Sequence, residues 1–369
     1  MIVMYIAFTD LSDGASSGSA VRPKKMLEAF YDIGETVFVV SGSDSYKNSF
    51  ARKKSLARAN EWLNTNIPDY CYVENSTSPV KLKGNWSLIK RLYKMNVPIG
   101  YFYRDFHYRF PEVFPTKTLR FESFKEKIFR IFYARDEKLV NKYVNILYLP
   151  SFECTKYFSH QDMRALPPAG NLRDTCVHSF SVGVHTIIYA GGVSSLYGIY
   201  QLLEAFCILN RECILYKLIL VCREDETETL SDAAQEIMHK SEWIQVVHAS
   251  EKDLEKYYVQ AEAGVMPLQY NEYFNMSVSV KLFEYSSYGL PIIATPLKTV
   301  RQIVEQEKIG IVANGFTGQD IADAVEVAFK DSVLWQELSH NALKSIKTHN
   351  MWRHRALQVR NELINKKRK

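Results

Sequence analysis

Short apolar runs alternate with longer amphipathic segments along most of the chain. Apolar runs of about four to eight residues are typical of buried parallel strands, and apolar residues three or four apart are typical of helices that cover a sheet. The predicted strands are Ile2–Phe8, Glu35–Val40, Tyr70–Val73, Ile99–Tyr103, Asn145–Pro150, Thr186–Ala190, Lys217–Val221, Trp243–Val247, Ala263–Pro267 and Ile292–Thr295. The predicted helices are Val21–Tyr31, Tyr46–Asn64, Glu122–Tyr143, Leu196–Leu209, Ser279–Tyr288, Gln319–Lys330, Ser332–Ile346 and Met351–Lys366. This alternation predicts an α/β class with parallel sheets.

The length of 369 residues is sufficient for two domains that each have their own core. The best linker is the span Ser159–Ser181, which contains two adjacent prolines and a glycine and shows no clear periodicity. The strand Asn145–Pro150 is expected to close the first domain. The chain is therefore divided into a first domain over 1–165, a second domain over 166–345 and a C-terminal helical segment over 346–369.

The stretch Asn275–Pro296, with the sequence NMSVSVKLFEYSSYGLPIIATP, organises the second domain. A polar start leads into a helix, Gly289 ends that helix in the left-handed conformation that glycine tolerates, and Pro291 prevents its continuation. A short buried strand follows. The helix start, around Asn275 to Ser279, offers backbone amides to a phosphate.

The segment KLFEYSSYGLPIIAT resembles the donor-site signature of retaining GT-B glycosyltransferases, particularly the family 4 enzymes of bacterial polysaccharide synthesis. The resemblance implies two Rossmann-like domains facing a central cleft, with the C-terminal helix crossing back to the first domain. It implies transfer of a sugar, with retention, from a nucleotide-diphosphate sugar to a saccharide acceptor. It also implies that no cofactor and no bound metal take part, the nucleotide sugar being a co-substrate of the UDP, GDP or dTDP type.

The same resemblance assigns donor-binding residues to the helix. Glu284 is expected to accept hydrogen bonds from the ribose, and the amides of Ser279 and Val280 are expected near the diphosphate. The family often has a second glutamate eight residues before the first, where this chain has Met276. Asn275 or Glu272 is the candidate substitute for contact with the transferred sugar.

A second similarity lies at YAGGVSSLYGIYQLLEAF, which resembles the strand, glycine turn and helix that open the family's donor domain. Gly191 and Gly192 would then lie beside the donor phosphates. The family commonly has an Arg and a Lys here, and this chain has neither. Arg223 or Lys281 is predicted to supply the missing positive charge. The alternatives are an exposed Arg223 and a solvent-exposed pair of Lys281 with Glu284.

The strand that ends at His248 belongs to a unit that is also similar to the family. By that similarity, His248 and Ala249 would cover the nucleotide base through their backbone.

In the first domain, YFYRDFHYRFP resembles a strand end that lines the acceptor side in the family. Asp105 is the leading candidate for the contact with the acceptor hydroxyl, as a base, and His107 is the second. The alternative is an ion pair of Arg104 with Asp105 that fixes a loop. The loop with Ser17 and Gly18 corresponds to one that faces the cleft; a flexible polar turn is its alternative. The motif G-x-G-x-x-G is absent, which disfavours a dehydrogenase-type dinucleotide site.

Basic residues are concentrated in the first domain, although the net charge is only +5. Lys81–Phe110 contains seven basic residues and one acid, and Lys117–Lys142 contains eight basic and four acidic residues interspersed with aromatics. Such a bias favours an anionic partner, either a phosphorylated acceptor or a membrane surface; nucleic acid is disfavoured because no recognition motif accompanies the charge. We hypothesise docking on an anionic membrane to reach a lipid-linked acceptor. A solvated basic face is the alternative.

Six cysteines without a C-x-x-C pair argue against a zinc site and a disulfide framework, and they favour a reducing cytoplasm. No apolar run approaches the ~20 residues of a transmembrane helix, so the expected location is cytoplasmic or peripheral on the inner membrane face. The expected role is in surface polysaccharide or glycoconjugate synthesis. Two other functions stay open: a non-catalytic partner of another glycosyltransferase and a GT-B sugar-nucleotide epimerase.

Overall fold

The computed structural model describes residues 1–11, 18–45, 47–114, 122–173, 180–249 and 253–367. The chain forms two compact units. The first contains Met1–Pro168 together with Trp352–Lys369, and the second contains Ala169–Met351.

The first unit is built on a six-stranded sheet in which every neighbouring pair is parallel. Its strands are β1 (Ile2–Ala7), β2 (Thr36–Val40), β3 (Tyr70–Glu74), β4 (Ile99–Phe102), β5 (Ile146–Leu149) and β6 (Met163–Ala165). Their order across the sheet is β2-β1-β3-β4-β5-β6. The central strands are buried on both faces, as their continuous apolar sequences predict.

Most of the chain segments that connect these strands form helices, which cover the sheet. They are α1 (Gly18–Asp32), α2 (Phe50–Trp62), α3 (Lys83–Lys94), α4 (Glu122–Tyr143) and, from the C-terminus, α14 (Trp352–Lys367). The prediction that Asn145–Pro150 closes the first domain is wrong, because β6 pairs with β5 and forms the edge of the sheet. The three residues of β6 are all half-buried and lack a continuous apolar run, so periodicity does not distinguish them from the predicted linker that contains them.

The second unit repeats the architecture with another all-parallel sheet of six strands. Its strands are β7 (His185–Ala190), β8 (Tyr216–Val221), β9 (Ile244–Val247), β10 (Ala263–Met266), β11 (Ile292–Ala294) and β12 (Gly310–Val312), in the order β12-β11-β10-β7-β8-β9. Its helices are α5 (Ile199–Leu209), α6 (Glu224–Thr227), α7 (Asp232–Lys240), α8 (Glu255–Gln260), α9 (Glu272–Met276), α10 (Val280–Ser287), α11 (Lys298–Glu307), α12 (Gly318–Ala328) and α13 (Ser332–His349). The predicted α/β class with parallel sheets is confirmed.

One helix of the second unit starts later than predicted. The predicted helix Leu196–Leu209 is divided by Gly198, which has a φ of 75° and separates a short 3-10 helix from α5. A Cβ at Gly198 would lie 1.7 Å from the carbonyl oxygen of Pro267. Glycine therefore allows the start of α5 to approach the loop that follows β10.

The helix predicted over Tyr46–Asn64 is present as α2, and its Arg52 faces inward although the neighbouring Lys53 and Lys54 are exposed. Arg52 is fully buried and donates hydrogen bonds to the carbonyl oxygens of Ala7, at 2.6 Å, and Val40, at 2.9 Å, at the ends of β1 and β2. Its Nε donates to Asn85, whose amide in turn donates to Asp44. Burial lowers the pKa of Arg52 to about 10, so the guanidinium remains charged at pH 7. It stabilises the carboxyl edge of the sheet and is not part of a basic surface.

We expect Arg52→Ala to destabilise the first unit by about 3 kcal/mol or more, because the substitution leaves several buried acceptors unpaired. The neighbouring Lys53 is exposed on the same helix, so Lys53→Ala should change the free energy of unfolding by less than about 0.5 kcal/mol. Urea denaturation of both variants measures the difference. Equal denaturation midpoints would show that Arg52 contributes nothing beyond its helical position.

Candidate functional site

The start of α10 lies at the carboxyl edge of the second sheet. Ser279 is the residue before the helix, and its hydroxyl accepts a hydrogen bond from the amide of Lys281 at 3.3 Å. Gly289 follows the helix with a φ of 68°, and β11 comes next. The predicted order of helix, glycine turn and buried strand is confirmed.

Close packing holds α10 against β7 and β10. The hydroxyl of Tyr285 accepts a hydrogen bond from the amide of Ala190 at 3.0 Å. A Cβ at Gly264 in β10 would lie 2.3 Å from the ring of Tyr285. The aromatic ring thus occupies the space that a side chain at Gly264 would need, and α10 has a fixed position on the sheet.

Lys281 extends from α10 into the glycine turn that follows β7. A Cβ at Gly191 would lie 1.6 Å from Lys281 Nζ, so the ammonium group occupies the space left by the missing side chain. The ammonium also lies 5.0 Å from the ring centre of Tyr189 and 5.7 Å from that of Tyr197. These are cation–π distances. The structure therefore brings together Lys281 and Gly191, which the sequence places ninety residues apart.

The charge of Lys281 is sensitive to its surroundings. Burial lowers the pKa of Lys281 to about 8, and the carboxylates of Glu284 and Glu226 oppose this shift. Lys281 and Glu284 are both half-buried, so they do not form the solvent-exposed pair given as the alternative. A cation that is poorly solvated and near its pKa gains more from an added anion than an exposed lysine does.

Glu226 was not predicted from the sequence, although it belongs to the same site. It lies in α6, and its carboxylate accepts a hydrogen bond from the amide of Val193 at 3.1 Å, immediately after the glycine turn. Arg223 pairs with Glu226 at 3.8 Å and is largely exposed, with 73% of its side chain accessible. The sequence offered one signal for Glu226, which is its position shortly after β8. Parallel strands bring their carboxyl ends to one edge of the sheet, so a residue there can reach a site at that edge.

A pocket of about 200 Å³ opens beside Lys281. Its walls are mainly aromatic and aliphatic, and the rings of Tyr197 and Phe274 lie 5.6 Å apart. The lining residues are Tyr189, Tyr197, Val265, Met266, Leu268, Tyr273, Phe274, Ser277, Val278, Ser279 and Lys281. The pocket thus combines a cation and a helix start with apolar walls, which is the usual composition of a small-molecule site.

Glu284 is half-buried, three residues after Lys281 on α10. Its carboxylate lies near Tyr258 in α8. Burial, and after it this negative charge, raises the pKa of Tyr258 well above its ordinary value. Tyr258 packs on Tyr285 and Tyr288. Glu284 is therefore held on the side of the helix that faces α8.

Other predicted donor residues have different surroundings. Asn275 lies within α9 and not at the start of α10; its amide oxygen accepts a hydrogen bond from the amide of Lys298 at 2.8 Å. Met276 is buried, with 2% of its surface exposed. His248 follows β9 with its ring Nδ1 3.1 Å from the carbonyl oxygen of Cys222, and Ala249 is half-buried beside it. Gly192 accepts a hydrogen bond from the hydroxyl of Tyr189 at its carbonyl oxygen, at 2.6 Å.

The acceptor-side residues predicted in the first unit lie directly after β4. Arg104 and Asp105 form an ion pair of 3.0 Å, which is the arrangement given above as the alternative to a catalytic Asp105. His107 is half-buried in a short 3-10 helix and stacks on Phe114 with ring centres 3.9 Å apart. Burial lowers the pKa of His107, while the nearby Asp105 opposes that shift. Ser17 lies outside the described residues.

Gly18 is the first residue of α1. Its predicted contact with a ligand stays a prediction.

Residues 184–331 match the family model "Glycosyl transferases group 1". The second unit contains a group 1 glycosyltransferase domain. The match covers all six strands of its sheet and the residues Gly191, Lys281 and Glu284. The prediction of a glycosyltransferase is thereby confirmed at the level of this domain. Curated proteins give no match to the sequence.

Solved structures show that the chain has the GT-B fold of glycosyltransferases. Sucrose-phosphate synthase from Thermosynechococcus elongatus is 13% identical, with a TM-score of 0.66 over 98% of each chain. WaaG, a glycosyltransferase involved in lipopolysaccharide biosynthesis, is 14% identical, with a TM-score of 0.64 over 98% of this chain and 99% of its own. HepE from Anabaena, in complex with UDP and glucose, is 12% identical, with a TM-score of 0.66 over 99% of this chain and 100% of its own. The predicted fold is confirmed.

Within the described part of the chain, no group of three or more His, Cys, Asp or Glu side chains has the arrangement of a metal site. The same residues include no helix of sufficient length and apolar character to cross a membrane.

We expect Glu284→Ala in the glycosyltransferase domain to weaken nucleotide binding roughly tenfold to a hundredfold, because a charge-assisted hydrogen bond is worth about 1.5 to 3 kcal/mol. Calorimetry with the nucleoside diphosphate that binds the wild type measures this loss. Glu305→Ala, on the exposed face of α11, is the matched control. If Glu284→Ala leaves the affinity for the nucleoside diphosphate unchanged, Glu284 does not bind the ribose.

The affinity for a nucleoside diphosphate should also fall as the pH rises. The pKa of Lys281 is about 8 in the ligand-free protein, and a bound diphosphate raises it, so binding takes up protons above pH 8. A loss of about tenfold is expected between pH 7 and pH 9. Lys281→Arg should flatten this dependence, and the parent nucleoside should show none. A wild-type affinity that is independent of pH would exclude contact between Lys281 and the phosphates.

Proposed function

We propose that the chain transfers a glycosyl group from a nucleotide-diphosphate sugar to a saccharide or lipid-linked saccharide acceptor. The observation that carries this proposal is the ammonium of Lys281, which lies in the Gly191 turn beside the start of α10. Breaking the bond from the sugar to the diphosphate places negative charge on the leaving group, and a preorganised cation with helix-start amides stabilises that charge. The transfer proceeds with retention and without a bound metal in this proposal.

The donor occupies the carboxyl edge of the second sheet. Lys281 and the amides of Ser279 and Val280 hold the diphosphate, with Arg223 as an outer cation. Glu284 accepts hydrogen bonds from the ribose, and the backbone of His248 and Ala249 covers the base. The presence of UDP and glucose in the structure of HepE supports this class of donor.

The transferred sugar lies in the pocket beside Lys281. Met276 is buried and offers no carboxylate where the family often has one. Asn275 accepts a hydrogen bond from the Lys298 amide and Glu272 accepts one from the Tyr270 hydroxyl. Both remain candidates for a polar contact with the sugar, and Glu272 is the one that carries a carboxylate. The rings of Tyr197 and Phe274 pack against the sugar's C–H groups, as aromatic side chains do in small-molecule sites.

The acceptor is activated by the first unit. Asp105 acts as the base for the acceptor hydroxyl, and Arg104 fixes its orientation through the ion pair of 3.0 Å. His107 is the second candidate base, since a histidine whose pKa is lowered is neutral at pH 7. WaaG takes part in lipopolysaccharide biosynthesis, and the likeness to it supports a role in polysaccharide or glycoconjugate synthesis. We place that role in the cytoplasm.

Two features of the sequence suggest a non-catalytic partner: the absence of the family's Arg and Lys beside the glycine turn, and Met276 in place of a glutamate. The position of Lys281 weakens that reasoning, because a cation from α10 occupies the same turn. Active transfer is therefore preferred to a partner subunit. Product analysis separates transfer from epimerisation, since an epimerase returns a nucleotide sugar or releases a free sugar without an acceptor product.

The test measures donor binding and transfer on the same protein. UDP, GDP, dTDP and CDP are compared by thermal shift, because a ligand of the native state raises its stability by mass action. The nucleotide sugars of the binding base are then assayed for transfer. Asp105→Asn should keep donor binding and lose transfer, whereas Asp69→Asn, away from the site, should keep both. If no nucleotide raises the melting temperature, the proposal fails.

A further inference from the structure

The first unit contains an aromatic pocket of about 250 Å³ that the donor site does not use. It lies between the turn that follows β4 and the outer face of α4. We define the aromatic pocket by its lining residues: His107, Tyr108, Pro111, Phe114, Phe129, Arg130 and Tyr133. Six of these seven side chains contain rings, and the interior is mainly apolar.

The polar atoms of the two tyrosines are directed away from the pocket. Tyr133 donates its hydroxyl hydrogen to the carbonyl oxygen of Thr77 at 2.8 Å. Tyr108 donates to Glu137, which also accepts from Arg109. Their hydroxyls are thus committed to the fold, and a ligand with many hydroxyl groups would lose its hydrogen bonds to water without replacement.

The ring faces are largely paired with one another. His107 stacks on Phe114 with ring centres 3.9 Å apart, and Tyr108 stacks on Tyr133 at 3.8 Å. A planar aromatic ligand would compete with these stacks, whereas an aliphatic chain needs only apolar surface. The walls therefore suit C–H groups better than a further ring.

Positive charge lies at the rim of the pocket. Arg130 is exposed on α4, and Lys81 Nζ lies 5.7 Å from the ring centre of Phe129. The rim is thus complementary to an anionic head group, and a phosphate is the head group that such cations bind best. The size of the pocket is below the ~300–1,000 Å³ that encloses a whole drug-sized ligand, so it takes only part of a chain.

We propose that the aromatic pocket binds the apolar chain of a phosphorylated lipid, with the phosphate beside Arg130 and Lys81. The inference deepens the proposed function, on which it rests, by making the acceptor lipid-borne. His107 lines the pocket two residues after Asp105, so a chain held there leaves the sugar end of the same lipid near the proposed base.

Monomeric alkyl phosphates test the pocket without a membrane. Calorimetry with butyl, hexyl and octyl phosphate should show saturable binding that strengthens about fourfold per methylene until the pocket is full. Inorganic phosphate tests the head group alone, and hexanol tests the chain alone. Affinity that does not depend on chain length would overturn the proposal.

Two variants with matched controls locate the site. Phe129→Ala should weaken hexyl phosphate about tenfold, whereas Phe152→Ala, an exposed phenylalanine elsewhere in the unit, should have no effect. Arg130→Gln should weaken hexyl phosphate several-fold and leave hexanol unchanged, whereas Lys138→Gln, also exposed on α4, should change neither. Phe129 is 39% exposed, so its replacement should not prevent folding, which a thermal melt verifies.

If Phe129→Ala and Phe152→Ala weaken hexyl phosphate binding equally, the proposal that the aromatic pocket binds the chain is wrong. Binding only to vesicles of anionic lipid, equally weakened by Arg130→Gln and Lys138→Gln, would also overturn it in favour of a general basic surface. Nucleoside diphosphate binding is measured on the same variants. If the protein binds nucleoside diphosphates but not alkyl phosphates, the proposal for the aromatic pocket is wrong and the proposed donor site is unaffected. If it binds no nucleoside diphosphate, the proposed function is wrong.

Discussion

The proposed donor site depends on how closely α10 approaches the end of β7. Two missing side chains make this approach possible, because the ring of Tyr285 fills the space at Gly264 and the ammonium of Lys281 fills the space at Gly191. The hydrogen bond from the Ala190 amide to Tyr285 fixes the same contact from the strand side. A larger residue at Gly264 would meet the ring of Tyr285 and move the helix start, whereas one at Gly191 would displace the flexible end of Lys281 and with it the cation.

In the proposed donor site the positive charge comes from α10 and not from the glycine turn itself. A glycine turn without its own cations would leave the leaving diphosphate with backbone amides alone. Lys281 supplies the charge from α10, at the cost of partial burial that lowers its pKa to about 8. Glu226 and Glu284 keep the ammonium stable while no anion is present, so the site is preorganised for an anion without being an unpaired buried charge.

The order of elements was predictable because buried parallel strands and covering helices have different apolar periods. Gly289 was predictable as a helix end, because glycine tolerates the left-handed conformation that closes a helix. Its φ of 68° lies in that region. The edge strand β6 was not, because three half-buried residues carry no pattern. Glu226 had only its position after β8 as a signal, and the choice of Lys281 over Arg223 at the Gly191 turn could not be made, since it depends on distances between segments that the sequence separates. Family resemblance marked Glu284 but could not show that Met276 is buried.

Charge counted along the sequence is not the same as charge available to a partner. In the first unit Arg52 caps the ends of two strands, Arg91 donates to the carbonyl oxygen of Asn60, and Arg104 and Arg109 pair with Asp105 and Glu137. These arginines stabilise the fold through fixed hydrogen bonds, for which a planar guanidinium is well suited.

Among the described side chains of the predicted basic stretches, the exposed cations are lysines together with Arg130 on α4. A diffuse lysine surface attracts any anion weakly and loses that attraction in salt. Specific recognition then requires a second interaction next to the charge, and the aromatic pocket provides apolar surface at the position where Arg130 and Lys81 approach it. An anion attached to an aliphatic chain satisfies both interactions together, which neither a free phosphate nor a neutral saccharide does.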